Sequence, residues 1–309
     1  MTELFAGLDQ LAQEIDTIFT LEVKPRQVQA IENLKVYTDV SGVLGSLSDP
    51  SSKALSSKES YSSQRSRDLG NKLKSGWSND QDVEVREFSM ADGTKHLVRK
   101  INVPSGGSFI EVMRIPQGLL PKSDVVYENF VIINSAGQAI DLLDLLVDDR
   151  YKHQIVSSGR KDVAQQKGLI ESDSDKTTSL IPHAPADGDR NVFVLAAIEE
   201  MGHSFQFEVH NQSKIKQLAG SLVGSLNSLY MTFFRRDNKD LRERQFELSR
   251  VKEERNAKAF ALNVIKRCRE LGVDPLPGLD IRSMIKIEDN ALKSYDQAYP
   301  NSSQKFSKT

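Results

Sequence analysis

Three aspartates, Asp141, Asp144 and Asp148, stand three and four residues apart in the stretch AIDLLDLLVDD. On a helix that spacing puts carboxylates on one side, where hard oxygen ligands can converge on a divalent cation. A metal-dependent enzyme would be built on Asp141 and Asp144. No lysine or histidine motif accompanies them. The plainer expectation is the polar face of a short helix over 139–149 with Leu142, Leu145 and Leu146 inward.

The five histidines, His96, His153, His183, His203 and His210, lack the paired spacing of a zinc site, and one cysteine excludes thiolate clusters. His203 and His210 are seven apart in a stretch that reads as one strand, hence on opposite faces, and packing or surface roles are expected. Cys268 is flanked by Lys266, Arg267 and Arg269, which favour a thiolate. No base accompanies it, so its expected role is structural. Neither G-x-S-x-G nor G-x-x-x-x-G-K-[ST] occurs, and GSLVGSL lacks the lysine of a phosphate-binding loop. No catalytic residue, metal ligand or cofactor is assigned.

The most specialised stretch is RRDNKDLRERQFELSRVKEER, residues 235–255, with fourteen charges in twenty-one positions, eight basic and six acidic. Mixed signs at helical spacing, such as Asp240 with Arg244, mark a solvated helix face or the flank of a coiled coil. Residues 211–270 still hold fourteen basic and seven acidic side chains, a surplus of seven that could meet phosphates. Arg235, Arg236, Lys239, Arg242 and Arg244 are the candidate nucleic-acid contacts. Around them runs an apolar seam in which Leu218, Leu222, Leu229, Leu241 and Leu248 are the candidate interaction residues.

These groups need elements to hold them. The chain has 309 residues, 27% charged, enough for a real core beside sizeable polar segments. Its acidic N-terminus does not suit a signal peptide, no stretch is apolar enough for a membrane span, and a lone cysteine fits a reducing compartment. A cytoplasmic protein without membrane contact is expected. Net charge is −2 overall but −7 over residues 81–210 and +7 over 211–309, a polarity that could steer acidic partners or other copies of the chain.

The chain divides into five regions. Residues 1–40 form an N-terminal helical segment, with Leu4, Leu8, Leu11, Ile15 and Ile18 on one stripe and a break at Pro25. Residues 41–80, with thirteen serines in forty positions, read as a flexible linker. Within it Ser63 and Ser66 beside Arg65 and Arg67 suggest phosphorylation sites, and Trp77 should anchor the linker to the next domain. Residues 81–210 form a β-rich domain interrupted by a polar loop at 151–190. Asp92-Gly93 turns a first hairpin, SFIEVMRI and VVYENFVIIN extend it, and NVFVLAAIEEM and HSFQFEV supply two later strands. Arg99, on the same side as Leu97 and Ile101, suggests that its strand is the more exposed. Residues 211–289 are helical, with a second helix over about 239–271 that ends at Gly272 and Pro275. Residues 290–309 are a disordered tail.

The fold class is therefore α+β: an antiparallel β-meander of about six strands, an N-terminal helix and a C-terminal pair of long helices. This plan resembles the layout of modular viral polymerase cofactors, with no shared motif and no residue role implied. The function expected first is a non-enzymatic, self-associating interaction protein that binds itself and another protein through the C-terminal seam. Nucleic-acid binding through the helix at 235–258, as in a viral or phage accessory protein, is the alternative, and the metal-dependent enzyme is the third.

Overall fold

The computed structural model describes residues 23–40, 61, 63–78, 82–89, 94–103, 107–115, 125–149, 153–158, 165–168, 177–185, 188–211, 238–280 and 283–284. In chain order these form α1 (Pro25–Glu32), α2 (Gln64–Lys74), β1 (Asp82–Ser89), β2 (Lys95–Asn102), β3 (Ser108–Arg114), β4 (Val125–Ile133), β5 (Ala139–Asp141), a 3-10 helix (Leu142–Asp149), β6 (His153–Ser158), β7 (Gln165–Gly168), β8 (Thr177–Pro182), α3 (Arg190–Asn211) and α4 (Asn238–Glu270). The class is α+β.

The meander forms as its turn residues require. β1 to β4 are successive antiparallel neighbours. Leu97, Arg99 and Ile101 of β2 share a side with Phe109, Glu111 and Met113 of β3, while Val98, Ile110 and Val112 face a smaller cluster on the other side. In β4 the register shifts opposite Val112 and Met113, leaving Glu128 without a partner in the ladder. That extra residue changes the alternation, so Tyr127 and Phe130, of opposite parity, both enter the main core. The turn after β4 is tied by Asn134, whose side-chain oxygen accepts from the amides of Ala136 and Gln138.

Beyond β4 the chain departs from expectation. The stretch 151–190 is not simply a polar loop: β6 and β8 run parallel, and β7 pairs antiparallel with β8. The sheet therefore has eight strands and is mixed, in the order β1-β2-β3-β4-β6-β8-β7, with β5 paired on β4. The two strands expected over 191–209 are instead the single helix α3. Phe193, Ala197, Met201 and Phe205 recur every four residues along it and are all buried. Because its first half is apolar on several sides, its period is hard to tell from that of a buried strand. The helix expected over 139–149 is shorter, begins only after β5, and is of the 3-10 type.

The segment 41–80, read as a linker, contains α2. Ser63 caps it, its hydroxyl accepting from the Ser66 amide at 3.1 Å. Leu69 and Leu73 then fall four apart on the buried face. Ser63 is thus a capping residue and Ser66 is 1% exposed, so Ser66 is no accessible phosphate acceptor. Trp77 does anchor the segment: its ring meets Phe193 edge to face at 5.2 Å and its Nε1 donates to the Leu73 carbonyl. α1 begins at Pro25, where a proline costs no hydrogen bond. Residues 1–22 and the expected helix at 213–233 and tail at 290–309 lie outside the described residues. α4 matches the helix expected there and closes on a Schellman turn, with the Val273 amide reaching the Cys268 carbonyl, the Gly272 amide reaching that of Arg269, and Gly272 at φ +82.

Arg99 is the largest correction. Far from marking an exposed strand, it is fully buried beside Glu111, its registered partner on β3. Nε and Nη2 both donate to the Glu111 carboxylate. Nη2 also reaches the Tyr127 hydroxyl at 3.2 Å, and Nη1 donates to the carbonyls of Leu73 and His183. Trp77 and Phe193 lie against the guanidinium at 5.0 and 5.4 Å. Burial alone would lower the Arg99 pKa, but Glu111 and Tyr127 more than offset it. Burial, then Glu111, pushes the Tyr127 phenol well above its ordinary value.

Two stability measurements check this architecture. Leu73→Ala is expected to cost about 2–5 kcal/mol in urea unfolding, whereas a substitution in a solvated linker stays within about 0.5 kcal/mol. Arg99→Met strands a buried carboxylate and is expected to cost about 3–5 kcal/mol, much of it recovered in Arg99→Met/Glu111→Leu. A single variant of near wild-type stability would contradict the burial of the pair.

Candidate functional site

Polar chemistry concentrates where α3 crosses α4. Gly202 lets the two backbones approach: a Cβ there would lie 2.9 Å from Phe260 Cδ1 and 3.2 Å from Ala257 Cα. Around this contact the crossing carries side chains that could not be buried alone. Gln27 of α1 and Asn256 of α4 exchange two amide hydrogen bonds of 3.0 Å, and Gln27 also donates to the Gly202 carbonyl. The Lys24 amide donates to Gln27 Oε1 at 2.9 Å, fixing that amide at the start of α1. Three helices are thereby registered by one buried amide pair.

Beside it lie the ionisable groups. Glu199 and His203 are four apart on α3, hence one turn apart on one face. Glu254 and Lys258 bear the same relation on α4. Lys258 Nζ contacts Glu199 Oε1 at 2.5 Å, and His203 Nε2 lies 3.5 Å from Glu254 Oε2. Candidate ligand atoms of Glu199, His203 and Glu254 all fall within 4.8 Å of one another. His203 and Lys258 are buried and the two glutamates half-buried. Glu200 is also buried, and its Oε2 has no hydrogen-bond partner among the described residues. Burial pushes its carboxyl up to about 8, with His203 opposing and Glu199 and Glu254 reinforcing the shift.

Sequence reasoning missed this set because it read α3 as strand. On a strand Glu199 and His203 would be four ordinary positions apart; on a helix they form a Glu-x-x-x-His pair. The pattern was legible, but only once the period was right.

The expected site residues fare differently. Lys239, Leu241, Arg242, Arg244 and Leu248 all lie on α4, one unbroken helix of 33 residues. Leu218, Leu222, Leu229, Arg235 and Arg236 lie outside the described residues. Asp141 is committed to the fold: Oδ1 accepts from the amides of Phe130 and Leu143, and Oδ2 from Asn129 at 2.7 Å. Asp144 Oδ2 accepts from the Tyr37 hydroxyl at 2.8 Å. Both carboxylates thus serve hydrogen bonds within the fold, and the Asp148 side chain lies outside the described residues. Ser157 and His183, 2.9 Å apart, have the composition of a nucleophile and base, yet the serine is fully buried and its hydroxyl also reaches the Pro182 carbonyl. They fasten β6 to the end of β8.

Cys268 proves inert rather than activated. It is 1% exposed, and burial, reinforced by Asp274 and opposed by Arg267, pushes its thiol up to about 12. No family model, curated protein or solved structure matches the chain.

A thiol so placed is protonated at neutral pH. Cys268 is expected to resist a disulfide-exchange reagent at pH 8 in native protein and to react at once in denaturant. Rapid native labelling would show that the end of α4 is not packed as described.

Proposed function

We propose that the chain is a non-enzymatic, self-associating interaction protein in which the α+β body roots a long helix and the C-terminal helical region supplies the association surface. The observation that supports this reading is the continuity of α4. Its 33 residues span about 50 Å at 1.5 Å per residue. Among its described side chains, from Lys252 onward, the buried ones run from Asn256 to Cys268. Upstream, Leu241, Leu248 and Val251 succeed one another at seven and three residues, the spacing of one apolar stripe. Isolated helices gain little in water without an apolar face to pack, so such a stripe serves best against another helix. Leu218, Leu222 and Leu229 extend the same seam in sequence.

The charged positions around that stripe then act as its solvated flank. Pairs such as Asp240 with Arg244 each contribute only about 0.2–0.5 kcal/mol, too little to assemble chains but enough to bias orientation. Lys239, Arg242 and Arg244, with Arg235 and Arg236, are the groups that a nucleic-acid reading would use instead.

Mass by light scattering separates the two. Self-association through the seam is expected to give a multiple of the chain mass that persists in high salt and after nuclease, and that Leu241→Asp/Leu248→Asp reduces. A monomer under all conditions overturns the proposal. A mass that collapses on nuclease treatment or raised salt transfers the role to nucleic-acid binding.

A further inference from the structure

We propose that Glu199, His203 and Glu254 bind a divalent transition-metal ion, of the zinc or manganese type, at the crossing of α3 and α4. The inference goes beyond the assembly reading and does not depend on it.

The donor set comes first. One imidazole and two carboxylates supply a nitrogen and two oxygens, the mixture that suits borderline divalent metals better than magnesium or calcium. Metal–ligand bonds of about 2.0–2.2 Å put tetrahedral donors roughly 3.4 Å apart. His203 Nε2 and Glu254 Oε2 already stand at 3.5 Å, and the whole set lies within 4.8 Å. Closing the remainder asks only that Glu199 rotate away from Lys258. The ligands sit on two helices whose separation is set by the Gly202 contact and the Gln27–Asn256 pair, so the backbone is prepared before any ion arrives.

Charge is the second argument. With His203 neutral, as a metal ligand must be, Glu199 and Glu254 bring two negative charges against the one positive charge of Lys258, in a partly buried place. A divalent cation would neutralise the two carboxylates, and to reach Glu199 it must displace the Lys258 ammonium, which lies 2.5 Å from it. Lys258 thus occupies the position that the metal must contest.

Glu200 supplies an independent observation. Only 7% exposed, it keeps Oε2 without a hydrogen-bond partner among the described residues and lies within electrostatic reach of His203, Glu199, Glu254 and Lys258. Buried polar atoms are seldom left so.

The test uses the full chain, stripped with chelator and titrated calorimetrically with zinc, manganese and magnesium chlorides. One zinc or manganese per chain is expected, with magnesium far weaker. His203→Ala and Glu254→Gln should each weaken binding on the order of tenfold or more, while Lys258→Met binds at least as tightly as wild type. Cys268→Ser should change nothing. No uptake by either wild type or Lys258→Met overturns the site, as does uptake indifferent to both His203→Ala and Glu254→Gln. If the ligand variants fail to fold, pulsed paramagnetic resonance of manganese on wild-type protein decides: coupling to an imidazole nitrogen supports the site, and its absence refutes it.

Discussion

A guanidinium and a carboxylate with no access to water can be tolerated only if nearly every donor and acceptor is met. Arg99 and Glu111 meet that condition by drawing on distant parts of the chain. β2 and β3 supply the pair, β4 the Tyr127 hydroxyl, α2 the Leu73 carbonyl, and the segment after β8 the His183 carbonyl. Removing any contributor would leave part of a charge unsatisfied in a medium of low dielectric. The pair therefore ties the residues before the sheet and those after it to the meander. It also explains the bulge in β4, since without the extra residue Tyr127 would point to the opposite side of the sheet. The Leu73 carbonyl sits at the C-terminal end of α2, where a cation is favoured by the helix dipole as well.

This network shows why some of the fold was legible in the sequence and some was not. β1 to β4 were readable because alternation and turn residues are local signals: Asp92-Gly93, Gly107 and the Asn134 turn are written within a few residues of the strands they join. α4 was readable from its length and its Gly272 stop. α2 was hidden because thirteen serines dominate residues 41–80, and two leucines four apart hardly stand out against them. The energy that orders α2 comes from Leu69, Leu73 and the Arg99 contact, all of which depend on strands elsewhere in the chain. β6 and β8 were hidden for a related reason. They lie in a polar, turn-rich stretch, and parallel pairing depends on strands brought together by tertiary packing. Arg99 itself was judged by its type, and only the register with Glu111 reverses that judgement.

The candidate cation site was lost through one error of period. Residues 191–209 are rich in valine, phenylalanine and leucine, and the second half alternates, so a strand fits the pattern as well as a helix does. Read as two strands, NVFVLAAIEEM and HSFQFEV, the stretch puts Glu199 and His203 on separate elements. With period 3.6, Glu199 joins His203 and faces Glu254 across the crossing. The missing signal was parity: a strand would mix Phe193, Ala197, Met201 and Phe205 with Glu199 and His203 on one face, whereas a helix puts the apolar four and the polar pair on different sides.

The two buried polar systems of the protein differ in a way that bears on function. Around Arg99 the charges balance and each side chain has partners on several elements, so the arrangement resists change and serves the fold. Where α3 meets α4, Lys258 pairs with Glu199, His203 lies 3.5 Å from Glu254, the buried Glu200 keeps Oε2 without a hydrogen-bond partner among the described residues, and Glu199 and Glu254 remain half-buried. A closed network has nothing left to offer a ligand, whereas an unfinished one gains by accepting a charge. That difference is the reason for proposing a ligand at the root of α4 rather than inside the sheet. Anything that tightens the crossing acts on the helix that carries Leu241 and Leu248, because α4 is continuous from Asn238 to Glu270. The end of the helix rooted in the body and the end proposed for association thus lie on one continuous helix.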